Sequence, residues 1–108
     1  MMVAYGYYNA AQTNTELVAA EAGKIIRVQR ILLTAWGDVK VTLISDPGGA
    51  GSTNLLPPLH LASGSVLTLP LGPRSALVTG RGKSLGVTTA FKVMAAEHSV
   101  VVWYDVVA

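Results

Sequence analysis

The first candidate for chemistry in this 108-residue chain is the glycine-rich segment Gly80-Arg81-Gly82-Lys83-Ser84. Gly-Lys-Ser ends the phosphate-binding loop of many nucleotide-binding proteins, in which backbone N–H groups and the lysine hold phosphate. That loop also requires a glycine five residues before Gly82, where this chain has Leu77. No helical pattern follows Ser84, so no helix N-terminus would be available to the anion. We therefore predict an ordinary turn between two strands.

The two histidines, His60 and His98, are the candidate metal ligands. A metal site would require a second histidine or carboxylates at ligand spacing. Leu61 and Ala62 follow His60 instead, and Glu97 is the only acidic neighbour of His98. We expect both histidines at the surface or in an interface, and we predict no metal or other cofactor.

Nucleophilic and acid–base catalysis have no better candidates. The chain has no cysteine. Gly82-Lys83-Ser84-Leu85-Gly86 fits the pattern Gly-x-Ser-x-Gly, but no helical pattern follows Ser84, whereas the serine nucleophile of α/β-hydrolases stands on a strand-to-helix turn. The chain's six acidic residues are scattered, and no pair has a spacing that suggests acid–base work. These features predict a protein that is not an enzyme, with a small barrel enzyme as the least favoured class.

The hydrophobic content of the chain is too large for a single small core. Hydrophobic residues make up 51% of the sequence and charged residues 13%, whereas a typical soluble domain has about 25% charged residues. The surplus predicts burial against a partner or against copies of the chain. A net charge of +2, spread along the sequence, does not indicate nucleic-acid binding. Prolines interrupt the charge-free stretch 47–73, so we predict no membrane-spanning helix.

Short strand-like segments recur along the chain, and no segment has strong helical periodicity. They predict an all-β, single-domain β-sandwich, or a barrel, of about eight short antiparallel strands. A jelly roll and an immunoglobulin-like sandwich both fit, although the Cys–Trp–Cys spacing of antibody domains is absent. The clearest strands are predicted at 24–36, 39–44, 65–71, 75–79, 85–90 and 99–107.

The longest strand, 24–36, predicts an irregularity and a turn. Its apolar alternation slips near Arg30, which indicates a β-bulge or a bend between two sheets. Gly37-Asp38 then predicts a tight hairpin to the strand 39–44. Trp36 lies at the predicted tip, where it either anchors a partner or a sugar ring or folds back over the edge of the core.

The two ends of the chain supply the candidate contact residues. Residues 1–15 are predicted to form an N-terminal arm, or a first strand, with a polar linker at 12–15, and the sandwich is predicted over 16–108. Tyrosine offers a large amphipathic area to a partner, so we predict partner contacts at Tyr5, Tyr7 and Tyr8. The last strand is apolar on both faces, which predicts a subunit interface at Val100, Val102, Trp103 and Tyr104.

Three segments of the sequence form a recognisable set. They are Ala22-Gly23-Lys24-Ile25-Ile26-Arg27-Val28, then Leu56-Pro57-Pro58-Leu59 continuing to Ser65-Val66-Leu67-Thr68-Leu69-Pro70-Leu71, and Leu77-Val78-Thr79-Gly80 continuing to Leu85-Gly86-Val87. Together they resemble small proteins, about 100 residues long, that decorate the capsids of tailed bacteriophages. The resemblance covers roughly residues 22–107; the N-terminal tyrosines and the glycine-rich segment after Asp46 depart from it.

The resemblance implies a fold and a function. Such decoration (cement) proteins are single jelly rolls that form homotrimers, bind the major capsid protein on the outer surface of the head and stabilise the shell. The implied location is the virion, after synthesis in the host cytoplasm, and the family has no catalytic residues to transfer. The alternative is a phage tail or fibre module that recognises a host glycan through a loop aromatic such as Trp36.

Overall fold

The computed structural model describes residues 1–72, 77–92 and 94–108, and all regular structure within them is β-strand. The all-β prediction is confirmed. No stretch of these residues forms a helix long and apolar enough to cross a membrane. Of the strand predicted at 75–79, the first part lies outside the described residues. The strands are β1 (Met2–Tyr8), β2 (Gln12–Val18), β3 (Ile25–Ala35), β4 (Val39–Ser45), β5 (Thr53–Asn54), β6 (Leu59–Leu61), β7 (Val66–Pro70), β8 (Leu85–Phe91) and β9 (His98–Val107).

The strands form two antiparallel sheets that pack as a sandwich. Sheet A has the order β1-β9-β3-β7, and sheet B has the order β2-β8-β4-β5 with β6 also paired to β4. The first strand therefore pairs with the last, the second with the next to last, and so on inward to β4 with β5 and β6. This is one long antiparallel hairpin rolled into two sheets, the connectivity of a jelly roll. Strand order settles the topology that the sequence pattern left open.

The irregularity in β3 is a β-bulge, as predicted. Opposite β9, the register skips Gln29 between Val28 and Arg30. The Gln29 side chain is buried, and its amide Nε2 donates a hydrogen bond to the Asp105 carboxylate. Because the bulge inserts one residue, the apolar side chains on both sides of it reach the same core. These are Ile26, Val28, Ile31, Leu33 and Ala35.

Residues 36–38 connect the two sheets, so the predicted β3–β4 hairpin is wrong. β3 pairs with β9 and β7 in sheet A, whereas β4 pairs with β8, β5 and β6 in sheet B. A Gly-Asp dipeptide indicates a change of direction, but burial of the apolar faces decides which strands pair. Ser63 holds the corner: its N–H donates to Asp38 Oδ1, and its hydroxyl donates to the Trp36 carbonyl, both at 3.0 Å.

The N-terminal residues are part of the sandwich. β1 pairs with β9 over seven consecutive residues, so the first-strand interpretation applies and the segment is not an arm. Residues 12–15, predicted as a polar linker, form the first half of β2. The N–H groups of Gln12 and Asn14 donate to the hydroxyls of Thr89 and Thr88, each at 3.0 Å. A polar sequence is compatible with a strand here because β2 is an exposed edge.

The hydrophobic core lies between the sheets. Strand side chains alternate between two faces, and one face of each sheet supplies the core. Sheet A contributes fully buried residues from β3 and β9, and sheet B from β4 and β8. The second face of each sheet is consequently left for solvent or partners. The residues at the centre of the core are Val28, Ile31, Leu33, Val41, Leu43, Leu85, Val87, Val100 and Val102.

The loop after β4 covers one end of the outer side of sheet B. Pro47 lies against Gly86, where an added Cβ would come within 2.4 Å of the proline Cγ. Ile44, the cross-strand neighbour of Gly86, is buried although it points away from the core. The opposite end of this outer side, at the start of β4, stays open.

Candidate functional site

The outer side of sheet A is a flat surface with very little charge. Three rows of four residues cross its strands, and none of the twelve residues is buried. Arg30 is the single charged side chain among them. We call these twelve residues, together with the adjoining Trp36, the outer A face. The rows are Val3, Trp103, Arg30 and Pro70; Tyr5, Val101, Leu32 and Thr68; and Tyr7, Ser99, Thr34 and Val66.

Aromatic side chains dominate the outer A face. The Tyr7 ring lies edge-on to Trp36, with ring centroids 6.4 Å apart. The Arg30 guanidinium lies 4.8 Å from the centroid of the Trp103 ring, a cation–π contact. Tyr5 lies in the row between these two pairs and is 74% exposed. Four aromatic side chains (Tyr5, Tyr7, Trp36 and Trp103) thus lie on or beside one face of sheet A, and we call them the aromatic band.

Glu97 contacts two members of this band. Its backbone carbonyl accepts a hydrogen bond from the backbone N–H of Trp36 at 2.9 Å. A hydrogen bond to its carboxylate raises the pKa of the Tyr7 hydroxyl above the ordinary value of 10.0, with smaller contributions from desolvation and the negative charge. The Tyr7 side chain is therefore restrained before any partner arrives, which lowers the entropy cost of binding.

Charged groups gather at one rim of the outer A face. The N-terminal ammonium of Met1 lies 3.4 Å from Asp105 Oδ1, and Asp105 is opposite Arg27 in the β9–β3 register. The outer A face has no carboxylate among its twelve strand positions. An apolar centre with a polar rim is the usual organisation of a protein–protein interface.

The edge strand β1 borders this face and is the least protected of the four sheet edges. It has seven residues in unbroken register with β9 and contains no charge and no proline. Each of the other edges has a feature that disfavours pairing with another chain. β2 has register shifts and a positive φ at Asn14, β7 ends at Pro70, and Pro57-Pro58 separates β5 from β6.

Four of the predicted contact residues meet on the outer A face. Tyr5 and Tyr7 were predicted to contact a partner, which the resemblance to decoration proteins makes the capsid; Trp36 was predicted as an exposed anchor and Trp103 for a subunit interface. The sequence assigned them to three separate contacts, and the structure places them on one surface. Trp36 is 53% exposed, so the alternative in which it folds over the core edge does not apply.

The other four predicted contact residues point inward. Val100 and Val102 are fully buried in the chain's own core, so the subunit interface predicted there is wrong. Tyr104 and Tyr8 are half-buried on the core side, and burial raises the pKa of Tyr8. β9 is a central strand with two apolar faces, and its sequence does not indicate which face belongs to the core.

Sequence reasoning missed most of the non-aromatic residues of the outer A face. Val3 shares the parity of Tyr5 and Tyr7 on β1, which is a signal that the sequence contained. Arg30 and Val66 join the face only through the registers of β3 with β9 and with β7. Those registers depend on the bulge and on the sheet order, which no local pattern specifies.

The histidines have different environments. His98 is 1% exposed, so the prediction of a surface or interface position is wrong for it. Its Nδ1 lies 3.0 Å from the Ala96 carbonyl and must donate to it, so Nε2 accepts a hydrogen bond from the Thr89 hydroxyl at 2.9 Å. The Tyr8 and Phe91 rings pack on the imidazole. His60 is exposed on the outer side of sheet B.

The glycine-rich segment is a turn, as predicted. The Lys83 N–H donates to the Gly80 carbonyl at 3.0 Å, and β8 follows directly instead of a helix. The Lys83 ammonium lies 3.6 Å from Asp46 Oδ2. In residues 1–72, 77–92 and 94–108, no group of three or more His, Cys, Asp or Glu side chains is placed to hold a metal ion.

Comparison with known proteins gives no relatives of the chain. No protein-family model, curated protein or solved structure matches it significantly. The geometry of the outer A face therefore carries the functional argument.

Proposed function

We propose that the protein is a non-enzymatic capsid decoration (cement) protein, which binds the outer surface of a bacteriophage head through the outer A face. The observation that carries the proposal is that face itself: three rows of exposed or half-buried positions with one charge, and a band formed by Tyr5, Tyr7, Trp36 and Trp103. Large exposed apolar patches mark protein interaction sites. Tyrosine, tryptophan and arginine are the residues that most often dominate interface energies.

The shape of the face favours a protein shell as the partner. A flat sheet surface fits another protein, whereas small ligands are usually bound in concave sites. Jelly rolls are frequent in viral capsids, and residues 22–107 resemble decoration proteins in sequence. A protein that binds the assembled shell, and not its separated subunits, stabilises the shell by mass action.

We extend the proposal to self-association as a homotrimer on the shell. The unprotected β1 edge supports contact between copies, because nothing on this strand disfavours the approach of another chain. In a closed ring the contact joins two different surfaces, and the other strand edges disfavour pairing, so the β1 edge of one copy meets a side-chain surface of the next copy. Three linked copies would also place three outer A faces on the lattice, which raises the overall affinity.

Co-sedimentation with undecorated bacteriophage heads tests the proposal. We expect saturable binding at a fixed ratio to the major capsid protein and a higher melting temperature of the decorated shell. A chain that stays in the supernatant at micromolar concentration would refute decoration. Analytical ultracentrifugation tests the trimer separately, since a stable monomer would refute self-association without affecting the binding result.

The second candidate function is a tail or fibre module that binds a host glycan. Trp36 favours it, because its ring is 53% exposed at a corner of the sandwich. A glycan array separates the two functions. Saturable sugar binding that is lost in Trp36→Ala, together with no binding to heads, would favour the tail module.

A further inference from the structure

An open cleft of about 640 Å³ lies at the uncovered end of the outer side of sheet B. Three neighbouring strands form it. Lys40 on β4 is directly opposite His60 on β6 and Ala90 on β8. Lys92, just after β8, and Asp38, just before β4, complete its polar lining. The cleft is on the opposite side of the sandwich from the outer A face.

Side-chain size explains why this end of the sheet is concave. Ala90 on β8 and Ala62, just after β6, place short side chains on the two sides of Lys40, so the floor of the cleft is low and apolar there. Lys40, His60 and Lys92 are the longer side chains of the lining. Small-ligand sites generally combine this volume with an apolar floor and a few polar groups.

Two of the four lysines of the chain, Lys40 and Lys92, line the cleft, and they differ from the other two in forming no ion pair with a described residue. Lys24 lies 3.4 Å from a carboxylate oxygen of Glu21, and Lys83 lies 3.6 Å from one of Asp46. Lys40 and Lys92 form no ion pair with any residue that the structure describes, and both are exposed. Two ammonium groups with no carboxylate partner, above an apolar floor, favour an anionic ligand.

Asp38 restricts the kind of anion. Its Oδ1 accepts a hydrogen bond from the Ser63 N–H at 3.0 Å, which fixes the carboxylate at the rim of the cleft. A carboxylate in this position repels a doubly charged phosphate group more strongly than a singly charged carboxylate, and it accepts hydrogen bonds from hydroxyl groups. The combination selects a ligand with one carboxylate and several hydroxyls.

We propose that the cleft binds a carboxylated sugar unit of an acidic polysaccharide. The sugar carboxylate lies between Lys40 and Lys92, a hydroxyl group donates to Asp38, and the apolar side of the ring rests on Ala90, beside Lys40. The site does not depend on the proposed capsid binding. If the outer A face does dock on a shell, the cleft faces away from it and stays accessible to polysaccharide.

Chemical-shift titration of the full chain with a glucuronic-acid disaccharide tests the site. The controls are the neutral disaccharide, in which a hydroxymethyl group replaces the carboxylate, and inorganic phosphate. We expect the acidic disaccharide to bind at least tenfold more tightly than either control, with shifts centred on Lys40, His60 and Ala90. The double variant Lys40→Ala/Lys92→Ala should lose at least tenfold in affinity, whereas Lys24→Ala should bind normally.

Two further variants separate the cleft from other surfaces. Ala62→Phe fills the floor without changing charge and should abolish binding, whereas Trp36→Ala, on the other surface, should leave it unchanged. Equal affinity for the neutral disaccharide, or for phosphate, would overturn the proposal. So would unchanged binding by Ala62→Phe or by the double lysine variant at an unaltered melting temperature.

Discussion

Replacement of Tyr5 by serine removes the most exposed aromatic ring of the outer A face while leaving the sandwich intact. A tyrosine offers about 200 Å² of surface, and Tyr5 is 74% exposed, so a partner covers up to about 150 Å² of it. About 100 Å² of that area is apolar ring surface. At about 25 cal/mol per Å², its loss costs about 2.5 kcal/mol, or about 60-fold in Kd.

The same substitution should affect folding much less. Tyr5 lies on an edge strand, and its cross-strand partner on this face is Val101. Such a pair contributes roughly 0.2–1 kcal/mol. Urea unfolding followed by tryptophan fluorescence should therefore show a nearly unchanged free energy of unfolding.

The binding assay is co-sedimentation with undecorated heads over a range of protein concentrations. Lys40→Ser is the control, since Lys40 is exposed on the outer side of sheet B, away from the outer A face. We expect Tyr5→Ser to shift the binding curve by about 60-fold and Lys40→Ser to leave it unchanged. The assignment of the outer A face is refuted if Tyr5→Ser binds heads as tightly as the wild type, or if both variants weaken binding equally.

Three further predictions concern the core, the first strand and the aromatic band. Val102→Asp should abolish folding, because an unpaired buried carboxylate costs several kcal/mol, which is comparable to the stability of a small domain. The control Lys83→Ala should change the free energy of unfolding by at most about 1 kcal/mol. Denaturant titration of both variants checks the prediction. Deletion of residues 1–11 should destabilise the sandwich, because it removes the whole β1–β9 pairing; a truncated chain that melts at the wild-type temperature would contradict this. Glu97→Gln should lower the pKa of Tyr7 toward its ordinary value, because the hydrogen bond to the Glu97 carboxylate stabilises the neutral phenol. In the wild type this bond is lost as the pH rises through the raised pKa of Tyr7. Tyrosinate absorbance measures the change, and identical titration curves for variant and wild type would argue against the bond.

Local patterns in the sequence predicted much of the fold. Alternation over 39–44 and strand-like segments at 85–90 and 99–107 identified β4, β8 and β9. The slip near Arg30 indicated a bulge or a bend in β3, and the structure has the bulge. These features depend on the side chains of a single strand. The hairpin at Gly37-Asp38 and the linker at 12–15 were wrong, because their structures depend on which distant strand supplies the hydrogen bonds.

The candidate site was predicted only in pieces. Exposed aromatic residues on β1 and at Trp36 were predictable from residue type and turn position. These residues share a face with Trp103 and Arg30 only because the strand order is β1-β9-β3. That order places the first strand and β3 on either side of the last strand. The choice between Val102 and Trp103 as the outward residue of β9 likewise depends on the bulge register.

The pairing of β1 with β9 also sets the order of events during synthesis. β1 is translated before the other strands described here, but its only neighbour in sheet A, β9, is translated after all of them. β9 also lies between β1 and β3, so neither can complete sheet A before β9 has been translated. Such long-range pairing slows folding and leaves the uncharged β1 strand open to aggregation in the meantime. A nascent chain interrupted before β9 would have no outer A face, so unfinished copies would not be incorporated into an assembly that binds through it.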